Sequence, residues 1–261
     1  SIIIVNYNSG ELLYNCLRSI RDCLEMEYEV IVVDNASTDT SLSMVHEFED
    51  NPSFRFIKSE ENLGFAKGCN LGATLAKGAV FHFLNPDTEL QRGMDRDYLF
   101  TLRFPDKVYV TPLLNRDASL ENGKMVLPLL KDIFWWNVNR KRARFWCKGA
   151  SVIRPKNLYN KVGGWSEDYF MYGEDLDLFY NFWRLGINVE ILHTPVFHFG
   201  GGCSKNVWNS FEREVKVQRS FKLFYSKYFP KWKYVAVKCY FLLHNLLKHP
   251  SKVKGDIKAW K

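Results

Sequence analysis

Short apolar, β-branched runs alternate with helical spacing along the first hundred residues. Residues 2–5 are Ile2-Ile3-Ile4-Val5, an uninterrupted apolar run that predicts a buried strand. Leu12, Leu13, Cys16, Leu17 and Ile20 then recur on one helical face, with Ser9 placed as its N-cap. The same alternation predicts strands over 30–33, 54–57 and 80–84 and helices over 39–48 and 65–77. Strands that are apolar throughout and separated by helices predict right-handed βαβ units, hence a parallel sheet with both faces covered.

In such sheets ligands bind beyond the carboxyl ends of the strands. Those positions are unusually polar here: Asn6-Tyr7-Asn8 after the first strand, Asp34-Asn35-Ala36-Ser37 after the second, Glu60-Glu61-Asn62 after the third and Asn85-Pro86-Asp87-Thr88 after the fourth. Farther on, 90–104 reads as a helix and 108–111 as a strand. Residues 112–144 show no clear period and read as a variable loop over the site, holding Trp135-Trp136 and the basic residues Arg140, Lys141, Arg142 and Arg144. Regular patterns return over 145–153, in a helix over 174–185 and in strands over 189–192 and 196–199. From about Lys205 the chain turns basic and aromatic with helical spacing.

At 261 residues and 46% hydrophobic content the chain is long and apolar enough for a sizeable core, which excludes disorder and fibrous classes. The net charge of +7 is unevenly placed. Residues 204–261 hold 14 Lys and Arg against 3 Asp and Glu, a balance of +11, while 1–203 hold 22 against 26, a balance of −4. The acidic body and the basic tail therefore call for separate explanations. Six cysteines without a CxxC pair read as reduced thiols of a cytosolic protein. Ser1 leads straight into a strand and no apolar run nears the roughly 20 residues of a bilayer span, so the expectation is a cytoplasmic protein, soluble or peripheral on the inner face of the cytoplasmic membrane.

Asn85-Pro86-Asp87 stands at a strand end in a proline-stiffened turn. Asp87 there either ligates a hard cation such as Mg²⁺, whose other positions go to water and substrate phosphate, or caps the next helix. Glu174, Asp175 and Asp177 crowd one helix start beside Tyr169, Phe170 and Tyr172, which suggests a cleft mouth with one carboxylate poised as general base, against simple capping. His198 is a candidate metal ligand or a structural residue. No GxGxxG follows the first strand and there is no GxxxxGK[ST] or GxSxG, so a bound nucleotide would be held by carboxylate and metal.

Six motifs in order resemble the family-two inverting glycosyltransferases, in particular the bacterial rhamnosyltransferase-like branch: 5–10 (VNYNSG), 32–39 (VVDNASTD), 62–66 (NLGFA), 83–88 (FLNPDT), 163–165 (GGW) and 170–178 (FMYGEDLDL). The resemblance runs from residue 2 to about 203. It implies a GT-A fold, a Rossmann-like, mainly parallel α/β sheet flanked by helices. The expected division is a catalytic domain over 1–203, with a nucleotide-binding half (1–111) and an acceptor-side half (112–203), and a helical extension over 204–261.

The activity implied is transfer of a sugar from a nucleoside diphosphate donor to an acceptor hydroxyl, with a divalent metal, Mg²⁺ or Mn²⁺, as cofactor. By position, Asn6, Tyr7, Asn8 and Asp34 would line the nucleoside pocket, and Asn62, Gly64, Asn85 and Trp165 would border the donor. Asp87 and His198 would hold the metal, Asp175 would be the base and Glu174 would shape the acceptor side. Asn85 replaces the first acid of the family's Asp-x-Asp, leaving one strong ligand, and Cys69 stands where distant members carry Arg. One base and one displacement predict inversion at the anomeric carbon. The branch implies dTDP-rhamnose, with glucose, galactose and N-acetylhexosamine donors also open, and a glycan or lipid-linked acceptor in bacterial cell-surface polysaccharide synthesis. The alternative is a non-catalytic nucleotide-sugar or glycan-binding module. Nucleic-acid binding by the tail leaves the acidic strand ends unexplained and is set aside. The tail is instead expected either to pack on the body with a solvated basic face or to dock on an anionic membrane surface.

Overall fold

The structure is a computed structural model that describes residues 1–200 and 209–248; the expectations resting on 201–208 and 249–261 lie outside the described residues. Its centre is a seven-stranded sheet in the order β11-β6-β10-β4-β1-β2-β3. The strands are β1 (Ile2–Asn6), β2 (Val30–Asp34), β3 (Phe54–Lys58), β4 (Val80–Leu84), β6 (Val108–Val110), β10 (Ser151–Pro155) and β11 (Val189–Ile191). All pairings are parallel except those of β10, which runs antiparallel to both β4 and β6. The two halves expected on either side of residue 111 thus share one sheet.

The apolar runs of β1 and β2 divide by the two-residue period of a strand. Ile2, Ile4, Val30 and Val32 face one core with α1 (Glu11–Cys23), whereas Ile3, Val5, Ile31 and Val33 face a second with α2 (Phe65–Leu75). Gly72 lets α2 lie directly on β1, since a Cβ there would stand 2.5 Å from Ile3 Cγ2. The second core also takes Leu178, Phe179 and Phe182 of α6 (Glu174–Arg184). A third cluster joins Leu176 and Tyr180, on another face of α6, to Phe224 and Tyr225 of α7 (Ser210–Tyr228) and Val237 of α8 (Lys231–Lys248). The C-terminal hairpin is packed on the body through this cluster.

Several local expectations change. α1 is capped by Gly10, and Ser9 contributes its carbonyl to the Leu12 amide instead of a side-chain cap. The segment over 39–48 contains only a 3₁₀ turn, Ser43–Phe48. Residues 90–104 yield a shorter helix, α3 (Met94–Arg103), entered through Gly93. Between Asp87 and α3 lies β5 (Thr88–Glu89), so Asp87 caps no helix.

The segment over 112–144 is not a bare loop. It holds β7 (Leu113–Leu114), β8 (Lys124–Val126), α4 (Leu130–Val138) and a 3₁₀ turn, Arg140–Arg142, while β8 pairs with β9 (Phe145–Cys147) as a ribbon. Strands of two or three residues are too short to display a period, and α4 is apolar on its exposed side as well as its buried one. α5 (Lys156–Val162) follows β10. β12 (Val196–His198) lies between β5 and β7 in a small separate sheet.

Candidate active site

The carboxyl ends of β1, β2 and β4 open onto a cleft of about 580 Å³. Tyr7, Asn35, Asn62, Gly64, Asn85 and Asp87 reach its wall from the strand ends, facing Glu174 and Asp175 at the N-terminus of α6. Of the sequence-predicted residues, Asn6, Asn8, Asp34 and Trp165 are not on that wall. Asn6 and Asp34 are register partners on adjacent strands, 0% and 3% exposed, and Asn6 Nδ2 donates to Asp34 Oδ1 at 2.6 Å. The Ser37 amide donates to Asp34 Oδ2 at 3.1 Å, and Asn8 Oδ1 accepts from the amides of Thr38 and Asp39. These polar groups tie together the two loops that present Tyr7 and Asn35. Trp165 is 1% exposed and packs edge-on against Phe65 and Phe83 in the second core, behind the cleft.

Backbone strain gathers at the same loops. Asn8, Ala36 and Tyr172 are non-glycine residues with φ of +51°, +58° and +66°, a cost of about 1–3 kcal/mol each that tends to be found where function fixes a loop. Gly64 has φ of +79°, and a Cβ on it would stand 2.4 Å from the Phe170 carbonyl oxygen. Its neighbour Phe65 takes that carbonyl as the acceptor for its amide, at 3.2 Å. Only glycine lets the 62–65 turn meet the 169–173 loop this closely.

Pairing of β12 with β5 sets His198 opposite Thr88, and the Phe199 amide donates to the Asp87 carbonyl. His198 Nε2 consequently lies 3.6 Å from Asp87 Oδ1, with both residues buried. The other ring nitrogen, Nδ1, is 2.7 Å from Glu121 Oε2, and Glu121 is also ion-paired to Lys148. In the tautomer that carries its proton on Nδ1 toward Glu121, Nε2 would be left as a lone-pair donor beside the Asp87 carboxylate. That is the arrangement of an imidazole oriented by a carboxylate toward a cation. Asp87 and His198 fit a divalent ion as two protein ligands, with phosphate oxygens and water completing the shell. Among the described residues no group of three or more His, Cys, Asp or Glu could hold an ion by itself.

Across the cleft, Glu174 is 7% exposed, and its Oε2 has no hydrogen-bond partner among the described residues. Burial, and then the charge of Asp175, push its carboxyl above the ordinary range. Asp175 is half-buried and held in orientation by the amides of Leu176 at 2.8 Å and Gly149 at 3.4 Å. Burial raises its carboxyl too, although those amides pull it down. A carboxylate shifted upward and fixed at a cleft wall is equipped to accept a proton near neutral pH. The third acid of this cluster points elsewhere. Asp177 is 1% exposed, accepts from Tyr169 and Asn181 and lies 3.5 Å from Lys227, clasping α6 to α7.

Sequence reasoning missed Glu121, which lies behind His198, and Lys148, as well as Met125 and Trp146 of the β8–β9 ribbon and Arg213 and Val217 of α7; all but Glu121 line the cleft. Only the residue types Glu and Lys could have hinted at the first two. Helix α7 needed three-dimensional packing to be seen as a wall: Ser220 Oγ lies 3.5 Å from the Met171 carbonyl, and Lys216 Nζ lies over the Phe170 ring. A second, polar cavity of about 670 Å³ adjoins the cleft, sharing His198 and Lys148.

The mixed sheet with its cleft at the strand ends is the GT-A fold. It superposes on the *Staphylococcus aureus* TarS structure solved with UDP-GlcNAc with a TM-score of 0.64 at 16% identity, covering 99% of this chain and 78% of that one. The chain belongs to glycosyl transferase family 2, whose family model matches residues 1–162. It is similar to the uncharacterized glycosyltransferase YfnE of *Bacillus subtilis*, 43% identical over 89 residues, 33% of this chain and 22% of that protein. It is also similar to the N-acetylglucosaminyl-diphospho-decaprenol L-rhamnosyltransferase of *Mycobacterium tuberculosis*, 25% identical over 232 residues, 76% and 75% of the two chains. The match to YfnE thus spans about a fifth of that protein's length.

Proposed function

We propose that this chain transfers a sugar from a nucleoside diphosphate donor to an acceptor hydroxyl with inversion, in the synthesis of a bacterial cell-surface polysaccharide. The observation that carries the reading is one cleft with the Asp87–His198 pair on one wall and the upward-shifted Glu174–Asp175 pair on another. Family membership supports it, and the rhamnosyltransferase name of the mycobacterial relative supports a deoxyhexose, rhamnose, as the first donor to try.

In this mechanism Tyr7 and Asn35, held by the Asn6–Asp34 network, flank the nucleoside, and Asn62 and Asn85 border the sugar and phosphates. Asp87 and His198 would hold Mg²⁺ or Mn²⁺, and the chemistry such an ion would supply there is charge compensation for the departing diphosphate. Asp175 takes the acceptor proton as the oxygen attacks the anomeric carbon from the face opposite the leaving group, and a single displacement inverts that centre. Glu174, kept protonated beside it, presents a neutral hydrogen-bonding group to the acceptor side. The acceptor is a glycan or a lipid-linked glycan, and the C-terminal helices over 210–248 face an anionic membrane surface. Among the described residues no helix is long and apolar enough to cross a membrane.

The test is incubation of the purified protein and Mg²⁺ or Mn²⁺ with dTDP-, UDP- and GDP-sugars. Release of a nucleoside diphosphate from one donor, strongly dependent on metal, is expected. Saturable donor binding with no turnover on any acceptor would instead establish a binding module.

A further inference from the structure

Helix α8 is apolar on two opposite sides. Tyr234, Val237 and Tyr240 turn into the cluster that holds Phe224 and Tyr225. Trp232, Val235, Cys239, Leu243 and Leu246, spaced three, four, four and three residues apart, form a second stripe that is exposed along its whole length, Trp232 by 63% and Leu243 by 61%. Helix α4 repeats the arrangement on a smaller scale. Its Ile133 enters the same cluster as Val237, while Leu130, Phe134 and Val138, spaced by four, stand 44%, 57% and 63% exposed. Scattered exposed apolar residues need no explanation, but a stripe that runs the length of α8 marks a contact surface, and α4, anchored in the same cluster, carries a second, shorter one.

The charge around the stripes identifies what covers them. α8 carries Lys231, Lys233 and Lys238 and has no Asp or Glu anywhere in its sequence. Lys131 lies within α4 and Lys141 and Arg142 follow it, while the single acid of α4, Asp132, is occupied by a two-pronged ion pair with Arg144. A two-fold contact with a second copy would set these cations against their own equivalents, with no carboxylate on α8 to relieve them. An anionic lipid surface satisfies both features: apolar side chains enter the acyl boundary and each nearby Lys or Arg adds about 1 kcal/mol of attraction.

We propose that α8 and α4 together form the face that seats this protein on an anionic bilayer, with the Trp232–Leu246 stripe and Phe134 inserted and the lysines at the headgroups. This rests on the membrane reading of the C-terminal segment and adds to it a second element, α4, and the residues that enter the lipid. Because α7, which walls the cleft, is packed against α8, seating the hairpin holds the cleft beside the lipid surface.

The experiment is co-sedimentation of the full chain with phosphatidylcholine vesicles, with and without phosphatidylglycerol, alongside sedimentation velocity in the absence of lipid. Wild-type protein is expected to bind the phosphatidylglycerol vesicles, more weakly at high salt. W232E/L243E should weaken binding by about tenfold or more and F134E by about threefold, with circular dichroism and nucleotide-sugar turnover in solution unchanged, since none of the three residues is in the cleft. Wild-type protein that binds neither vesicle overturns the membrane reading itself. Binding that survives both variants overturns the assignment of this face. A dimer that W232E/L243E dissociates, without vesicle binding, would show that a second copy covers the stripes.

Discussion

Replacing Glu174 by glutamine keeps the shape of the side chain and removes its ability to ionise. The wild-type carboxyl is 7% exposed, leaves Oε2 without a partner among the described residues, and sits next in sequence to a second carboxylate. Ionising it inside the fold therefore costs on the order of 2–4 kcal/mol more than ionising it in the unfolded chain. Because the folded state raises its pKa, the associated stability is fully present below the unfolded value and is lost as pH rises through the folded one. Glutamine has no such dependence. The gap in unfolding free energy, E174Q minus wild type, should accordingly widen by a few kcal/mol between about pH 5 and about pH 8. Urea titrations across that range measure it, and the change with pH separates the charge effect from any constant penalty for burying the amide. A gap that stays flat or narrows would refute the buried-carboxyl argument. Since Asp175 loses its proton first in this arrangement, the acid limb of activity should stay where it is in E174Q. A displaced limb would mean that the two residues share that proton.

Gly64→Ala adds a Cβ against the Phe170 carbonyl oxygen at a φ of +79°, so it should cost about 2 kcal/mol or more in a urea titration and raise the donor KM, whereas a neutral substitution would contradict the close approach. Glu121→Gln weakens the hold on His198 Nδ1 and unpairs Lys148, and should raise the metal concentration for half-maximal activity by roughly 10–100-fold with little change in melting temperature; an unchanged metal requirement would remove Glu121 from the site.

The parallel sheet was legible because β1, β2 and β4 are apolar on both faces, and the polar residues that follow them marked the cleft edge. What the spacing could not separate was lining from support: Asn6 and Asp34 look like ligand contacts in the sequence, but adjacent register in a buried sheet makes them partners of each other. The proximity of His198 to Asp87 depends on β12 pairing with β5 across more than a hundred residues, which no local pattern encodes. Glu121 and Lys148 were hidden for a related reason, since they stand in connections beside strands of only two or three residues. Of the three acids at the start of α6, no spacing distinguishes Asp177, which turns away to meet Lys227 and Tyr169, from its neighbours, which face the cleft.

The most direct test of the proposed chemistry is turnover of a nucleotide sugar by Asp175→Asn, measured with the donor that wild-type protein uses. The account predicts that kcat falls by roughly 10²–10⁴, while donor binding and melting temperature stay close to those of the wild type. Transfer at the wild-type rate by a folded D175N protein would contradict it.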